Sequence, residues 1–193
     1  MVIFRTSFLF QTALSVASEG DQVILIRPGS LESPPHHVKG MTEQSAFHMQ
    51  CIKIVCLSEP SHLLKYLCEF HMQEGCLPAA ILIDDIHFYV SHLPQDQSRE
   101  IAVVKLFALL EDTAAYVSQK KGEPCHRYVS MSRGTCPKNY TKRYFRELWN
   151  ISTEQSQREG FLTDDHVPAF RAHFHLDDDD REIVVDRVYR LEG

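Results

Sequence analysis

Pro78-Ala79-Ala80-Ile81-Leu82-Ile83-Asp84-Asp85 is the stretch that decides the fold. Short apolar residues run into two adjacent carboxylates. A strand buried in a parallel sheet reads as a continuous apolar run, because helices cover both of its faces. An acid at its end reaches the carboxyl edge of the sheet, where open α/β folds bind their ligands. The run predicts a central strand, with Asp84 as the group it presents. Asp85 is read as structural.

Working outward, residues 6–18 keep Phe10, Ala13, Leu14 and Ala17 at helical spacing, and Glu19-Gly20 closes that helix. Residues 22–27 (QVILIR) and 51–57 read as strands. Between them, residues 28–50 are polar and contain Gly29, Pro34, Pro35 and Gly40, which predicts a long mobile loop. Residues 58–74 predict a helix, with Leu63, Leu64, Leu67, Phe70 and His71 recurring at three and four and Pro60 suited to its first turn. Residues 98–119 predict a long helix closed by lysines that complement its dipole. Its middle, residues 101–110, is apolar on nearly every face apart from Lys105. Burial on both sides is expected there, by its own sheet and by a second layer or a partner. Residues 124–132 read as a strand and 140–149 as a short helix. Residues 169–176 and 182–191 read as a terminal hairpin across the acidic run 177–180, itself read as a solvated turn. Strands alternating with helices predict an α/β fold with a mostly parallel central sheet flanked by helices, ending in a β-hairpin, as one domain over 1–193.

Composition narrows the function classes. A chain of 193 residues with 44% hydrophobic and 24% charged residues is that of a soluble globular protein. No run approaches the ~20 apolar residues of a membrane-spanning helix. Arg5 interrupts the apolar N-terminus and no small-residue cleavage site follows, so a secretory signal is not read. The six cysteines form no C-x-x-C pair, which predicts reduced, mostly buried thiols in an intracellular protein. His173 and His175 fall on one face of a strand, but no third ligand at useful spacing is evident, so no metal site is read. Net charge is −6, against a generic polyanion binder, yet residues 118–146 alone carry eight basic residues and one acid, leaving −13 elsewhere.

An acid-tipped strand holds Mg²⁺ in nucleotide sites when a glycine-rich phosphate cradle accompanies it. The chain resembles the RecA-type recombinase ATPases through Thr6-Ser7-Phe8-Leu9-Phe10-Gln11-Thr12-Ala13-Leu14, Ile81-Leu82-Ile83-Asp84 and Ala108-Leu109-Leu110-Glu111-Asp112-Thr113-Ala114-Ala115, in order over roughly residues 3–150. More narrowly it is similar to the small recombinase paralogues that associate with a SWIM-domain protein in the vertebrate Shu complex. The resemblance implies a RecA-like P-loop core and a nuclear role in homologous-recombination DNA repair. It further implies single-stranded DNA binding, weak DNA-stimulated ATP hydrolysis with ATP and Mg²⁺, and an obligate heteromer with the SWIM-domain protein. It also implies support of recombinase filament assembly.

The chain departs from that pattern at the cradle. Phe4 stands where the last glycine belongs and Arg5 where the lysine belongs. The first strand is missing or reduced to Val2 and Ile3. Phe4 adds bulk where backbone must touch phosphate, and the planar fork of Arg5 is not a compact ammonium. Arg5, Thr6 and Asp84 are the candidate cofactor-binding residues. Thr6 is either a Mg²⁺ ligand or the N-cap of the first helix, and Asp84 either the Mg²⁺ acid or a solvated carboxylate. The place of the water-orienting glutamate reads Ile26-Arg27-Pro28-Gly29. Little or no ATPase activity is expected, and no catalytic residue is assigned. Two alternatives stay open: an active ATPase whose loop belongs to a longer form, and an α/β interaction protein that binds no nucleotide.

The basic segment supplies the candidate DNA-binding residues Arg133, Lys138, Lys142, Arg143 and Arg146. Cations that neutralise phosphates, with Tyr140 and Tyr144 nearby as faces on which bases stack, meet the needs of sequence-tolerant single-strand binding. Phe10-Gln11-Thr12-Ala13 also fits the Phe-x-x-Ala pattern by which recombinases polymerise, within a helix expected to pack on the sheet.

Overall fold

The computed structural model describes residues 2–92, 98–153, 158–165, 170–179 and 181–190. In chain order the elements are α1 (Val2–Ala17), β1 (Val23–Arg27), β2 (His37–Val38), α2 (Ala46–Gln50), β3 (Ile52–Cys56), α3 (Pro60–Cys68), β4 (Ala80–Ile83), α4 (Ile86–Ser91), α5 (Arg99–Lys121), β5 (His126–Val129), α6 (Lys138–Tyr144), β6 (Trp149–Thr153), β7 (Glu159–Asp164), β8 (Phe170–Leu176) and β9 (Glu182–Arg190). A single 3-10 turn, Phe70–Met72, follows α3.

The apolar run at residues 80–83 is the buried inner strand it predicts. All four residues of β4 are fully buried, and the strand pairs in parallel with β1 and β5 in a sheet of order β3-β1-β4-β5. Side chains alternate between the two faces of a strand. Ile24, Ile26, Ile81 and Ile83 therefore pack with α3, α4 and α5, while Val23, Leu25, Ala80 and Leu82 pack with α1. The parallel sheet flanked by helices matches the expected fold class.

Helix α5 is held at both ends by its caps. Ser98 Oγ accepts from the Ile101 N–H, and Gly122 closes the helix in the left-handed region at φ 78°. Both-sided burial of this helix does not hold. Ala102, Val103, Leu106, Phe107 and Leu110 are buried, but Ile101 is 53% exposed and Lys105 faces solvent on the opposite side.

The hairpin β8/β9 is present, within a larger unit than expected. It belongs to a five-stranded sheet of order β2-β9-β8-β7-β6, antiparallel apart from the β2/β9 pair. The ends of the predicted hairpin, Ala169 and Leu191, lie outside the described residues, as does Asp180. Helix α6 stops at Tyr144 because Phe145 is extended, so Trp149 opens β6 instead of closing a helix. Gly160 sits where strands close up: a Cβ there would meet Ser152 O at 2.1 Å.

Helix α1 starts at Val2, four residues earlier than predicted, so Val2 and Ile3 are helical and not a strand remnant. Phe4 is 1% exposed and meets the Phe174 ring of β8 at 4.8 Å; Phe8 meets the same ring at 5.3 Å. Phe10 and Ala13 are buried on the parallel sheet, so the Phe-x-x-Ala pattern is core. Residues 28–50 contain β2 and α2, and side chains of α1 tie them down. Gln11 donates to Thr42 O at 2.8 Å and accepts from the Val38 N–H, and Ser7 Oγ accepts from the His36 N–H.

Candidate functional site

Four elements converge at the carboxyl edge of the parallel sheet. Strand β4 delivers Asp84, 3% exposed, whose backbone N–H still donates to Ile26 O at 2.8 Å. The Asp84 carboxylate accepts from the Thr6 hydroxyl of α1 at Oδ2 (2.9 Å) and from the Ser130 hydroxyl after β5 at Oδ1 (2.7 Å). Arg27, the last residue of β1, places Nη2 4.0 Å from Oδ2. Arg5 donates to Ser132 Oγ at 3.0 Å. Asp85 adopts the left-handed region at φ 53°, and its N–H donates to Ser130 Oγ at 2.7 Å.

Arg5, Thr6 and Asp84 lie at this one strand edge, together with Arg27 and Ser130. Thr6 is not an N-cap, because the helix is already under way at Val2. Asp84 is not a solvated carboxylate, because three side chains enclose it. Among the described residues, the buried N–H groups of Arg5 (Nε) and Arg27 (Nε, Nη1) have no hydrogen-bond partner, nor do Asp85 Oδ1 and Tyr89 OH. Burial first, and then the nearby Asp84 charge, push the Tyr89 phenol far above its ordinary pKa.

The described residues do not fit Mg²⁺-nucleotide as a P-loop holds it. Both Asp84 oxygens are engaged by hydroxyl donors, and Arg27 supplies the local positive charge. Phe4 is sealed against Phe174, so the glycine position of a P-loop carries a buried ring. The arrangement holds the Asp84 carboxylate rigidly.

The basic segment is shared between packing and surface. Lys138 and Lys142, one turn apart on α6, converge on Asp165 at 2.5 and 3.3 Å. The Lys138 ammonium, then Lys142, hold the Asp165 carboxyl below the usual carboxylate range. Arg127 pairs with Glu111, and Lys121 with Asp21 and Glu123. Arg133, Arg143 and Arg146 are exposed and form no ion pair with the described residues. The turn at Arg133-Gly134 is fastened by Thr135, whose hydroxyl donates to Ser132 O at 2.6 Å and meets His87 Nδ1. Tyr144 is not a free stacking face: it packs 5.7 Å from the Phe107 ring. Exposed rings in the same region are Tyr140 and, missed from sequence, Trp149 at 46% exposure.

The fold and this strand-edge arrangement define a class. The chain has the RecA-like fold: it covers 97% of itself and 87% of the RadB recombinase at TM-score 0.65 and 13% identity. A KaiC-like protein of Pyrococcus horikoshii aligns at TM-score 0.56 and 14% identity, over 94% of this chain and 83% of that one. No protein-family model matches the chain. Its sequence resembles one particular protein, the ATPase SWSAP1. The human protein is 30% identical over 119 residues, 61% of this chain and 49% of that protein; the mouse protein is 30% identical over 119 residues, 41% of its length. The chain thus spans about half the length of the curated relatives it matches.

Proposed function

We propose that this chain is a recombinase-paralogue subunit of homologous-recombination DNA repair with a degenerate nucleotide site. In this reading it works in the nucleus, binds single-stranded DNA and a SWIM-domain protein, and promotes assembly of a recombinase filament. The observation that carries it is Phe4, buried against Phe174 of β8 at the position where a phosphate cradle needs glycine, in a chain with the RecA-like fold. In this reading contact with DNA and with protein is the work of the fold. Arg133, Lys138, Lys142, Arg143 and Arg146 form the DNA-binding surface, with Arg143 and Arg146 contributing most because the two lysines are engaged by Asp165. Among the described residues no helix is long and apolar enough to cross a membrane.

The test is a pair of titrations. Labelled ATP with Mg²⁺ gives no saturable binding, and labelled single-stranded DNA binds with an affinity that falls steeply with salt. Salt-insensitive DNA binding, or binding unchanged after reversing Lys138, Lys142 and Arg143, overturns the DNA assignment. Co-purification with a SWIM-domain protein tests the partner. A second reading, an active DNA-stimulated ATPase in a longer form, is favoured by the Thr6–Asp84 hydrogen bond, which keeps the two Mg²⁺-holding groups of P-loop enzymes side by side. Saturable ATP binding after N-terminal extension would support it.

A further inference from the structure

The outer face of the second sheet carries side chains that the strand-edge site does not use. Ala172 and Phe174 of β8 turn inward and are buried, so His173 and His175 stand together on the opposite face. The register between β8 and β9 breaks at this point: His173 faces Arg187, whereas Phe174 faces Val185. Asp186 is the extra residue of that bulge, and bulges re-aim the side chain they insert. Its carboxylate reaches both imidazoles, with Oδ1 2.8 Å from His173 Nδ1 and Oδ2 3.7 Å from His175 Nδ1. One ligand atom from each of the three residues lies within 4.8 Å of the others. On the next strand Glu159, opposite His175 in the register, places Oε2 3.7 Å from His173 Nε2.

We propose that His173, His175 and Asp186 form a binding site for a divalent transition-metal ion, with Glu159 as the positioning residue for His173. Two imidazoles and one carboxylate are the donor set of zinc and its first-row neighbours, whereas Mg²⁺ and Ca²⁺ take oxygen ligands. Ligand atoms about 2.0–2.2 Å from a tetrahedral ion lie roughly 3.3–3.5 Å from one another. The three side chains reach that spacing by small rotations about bonds at the surface. With Nδ1 of His173 on the ion, its Nε2–H is left to donate to Glu159, the outer carboxylate contact that fixes the tautomer of metal-bound histidines. Three protein ligands leave one position for water or for a group from a partner. The alternation of β8 alone shows two ligands; the third comes only from the bulge, which is why sequence spacing does not reveal the site.

The full chain, stripped with chelator, is titrated with Zn²⁺ by calorimetry beside H175N and E159Q. One ion per chain is expected, with affinity falling at least 100-fold in H175N and about 10–100-fold in E159Q. Far-UV circular dichroism of the metal-free proteins checks that the variants fold. Substitution by Co²⁺ is expected to give a spectrum without thiolate charge transfer. Zinc affinity that survives H175N, absence of binding, or thiolate bands pointing to the exposed Cys56, Cys68 and Cys76 overturns the proposal. If H175N fails to fold, imidazole nitrogen shifts of the unaltered protein decide: zinc-induced shifts at both His173 and His175 support the site, and shifts at neither refute it.

Discussion

Asp84 holds the parallel sheet to α1 and to the segment after β5, through hydroxyl donors at 2.9 and 2.7 Å and Arg27 at 4.0 Å. Removing one partner of a buried charge pair leaves the other uncompensated, at a cost of about 3–5 kcal/mol. D84A is therefore expected to destabilise the chain by about that much, read as a lower urea midpoint at unchanged slope. A shift under about 1 kcal/mol would mean that the carboxylate is spare. Asp84 and Thr6 were legible because each occupies a motif position. Arg27 and Ser130 were not, since nothing in a strand's own pattern states which neighbouring strand end it will meet; strand order supplies that. Cys125 makes a second residue-scale case. Burial pushes its thiol up to about 11, with Lys121 opposing. Near pH 8, alkylation followed by mass spectrometry should modify the exposed Cys56, Cys68 and Cys76 rapidly and Cys125 only on unfolding.

At the scale of elements, the two ends of the basic segment behave differently. The lysines of α6 converge on Asp165, whereas Arg143 and Arg146 lie free of ion pairs with the described residues. Each phosphate neutralised on a single strand contributes about −0.7 to the slope of log affinity against log salt. R143A combined with R146A should flatten that slope by about 1.4, measured by fluorescence anisotropy across a salt series. An unchanged slope would remove both arginines from the interface. Strands β1 and β4 were readable because buried parallel strands are apolar without interruption; β3, an edge strand with Lys53 exposed, was readable from its β-branched residues. Helix α4 was missed: Ile86-His87-Phe88-Tyr89-Val90 has strand-like composition, and the left-handed Asp85 redirects the chain into a helix. Strand β6 was missed for a related reason. Tyr140, Tyr144 and Leu148 keep helical spacing in sequence, but Phe145 is extended, and it packs with Tyr144 on Phe107 as the chain leaves the helix.

At the scale of the molecule, acid should act first on the second sheet. Asp165, Asp177 and Asp186 are all held below the ordinary carboxylate pKa, by Lys138, by the backbone N–H groups of Glu182 and Arg181, and by His173 respectively. A depressed folded pKa adds stability that is complete above the unfolded value, about 3.9, and disappears as pH falls through the folded value. Loss is therefore expected below about pH 4. The single tryptophan, Trp149, lies on β6 of that sheet and reports it directly. Its fluorescence should change on acidification before far-UV helical signal is lost, and D165N should move that change to higher pH. Coincident transitions with no effect of D165N would refute the assignment.

Helix α1 faces both sheets, with Ala13 and Leu14 on the parallel one and Phe4 and Phe8 on Phe174 of the other. This has a consequence for the order of events during synthesis. During synthesis the latter half of α1 can settle once β1, β3 and β4 have emerged. Its first turns must wait for β8, which follows every strand of the parallel sheet. Contacts so distant in sequence slow folding, and the apolar groups that await them remain open to association meanwhile. Phe4 and Phe8 thus act as a late lock: their burial waits on the synthesis of β8.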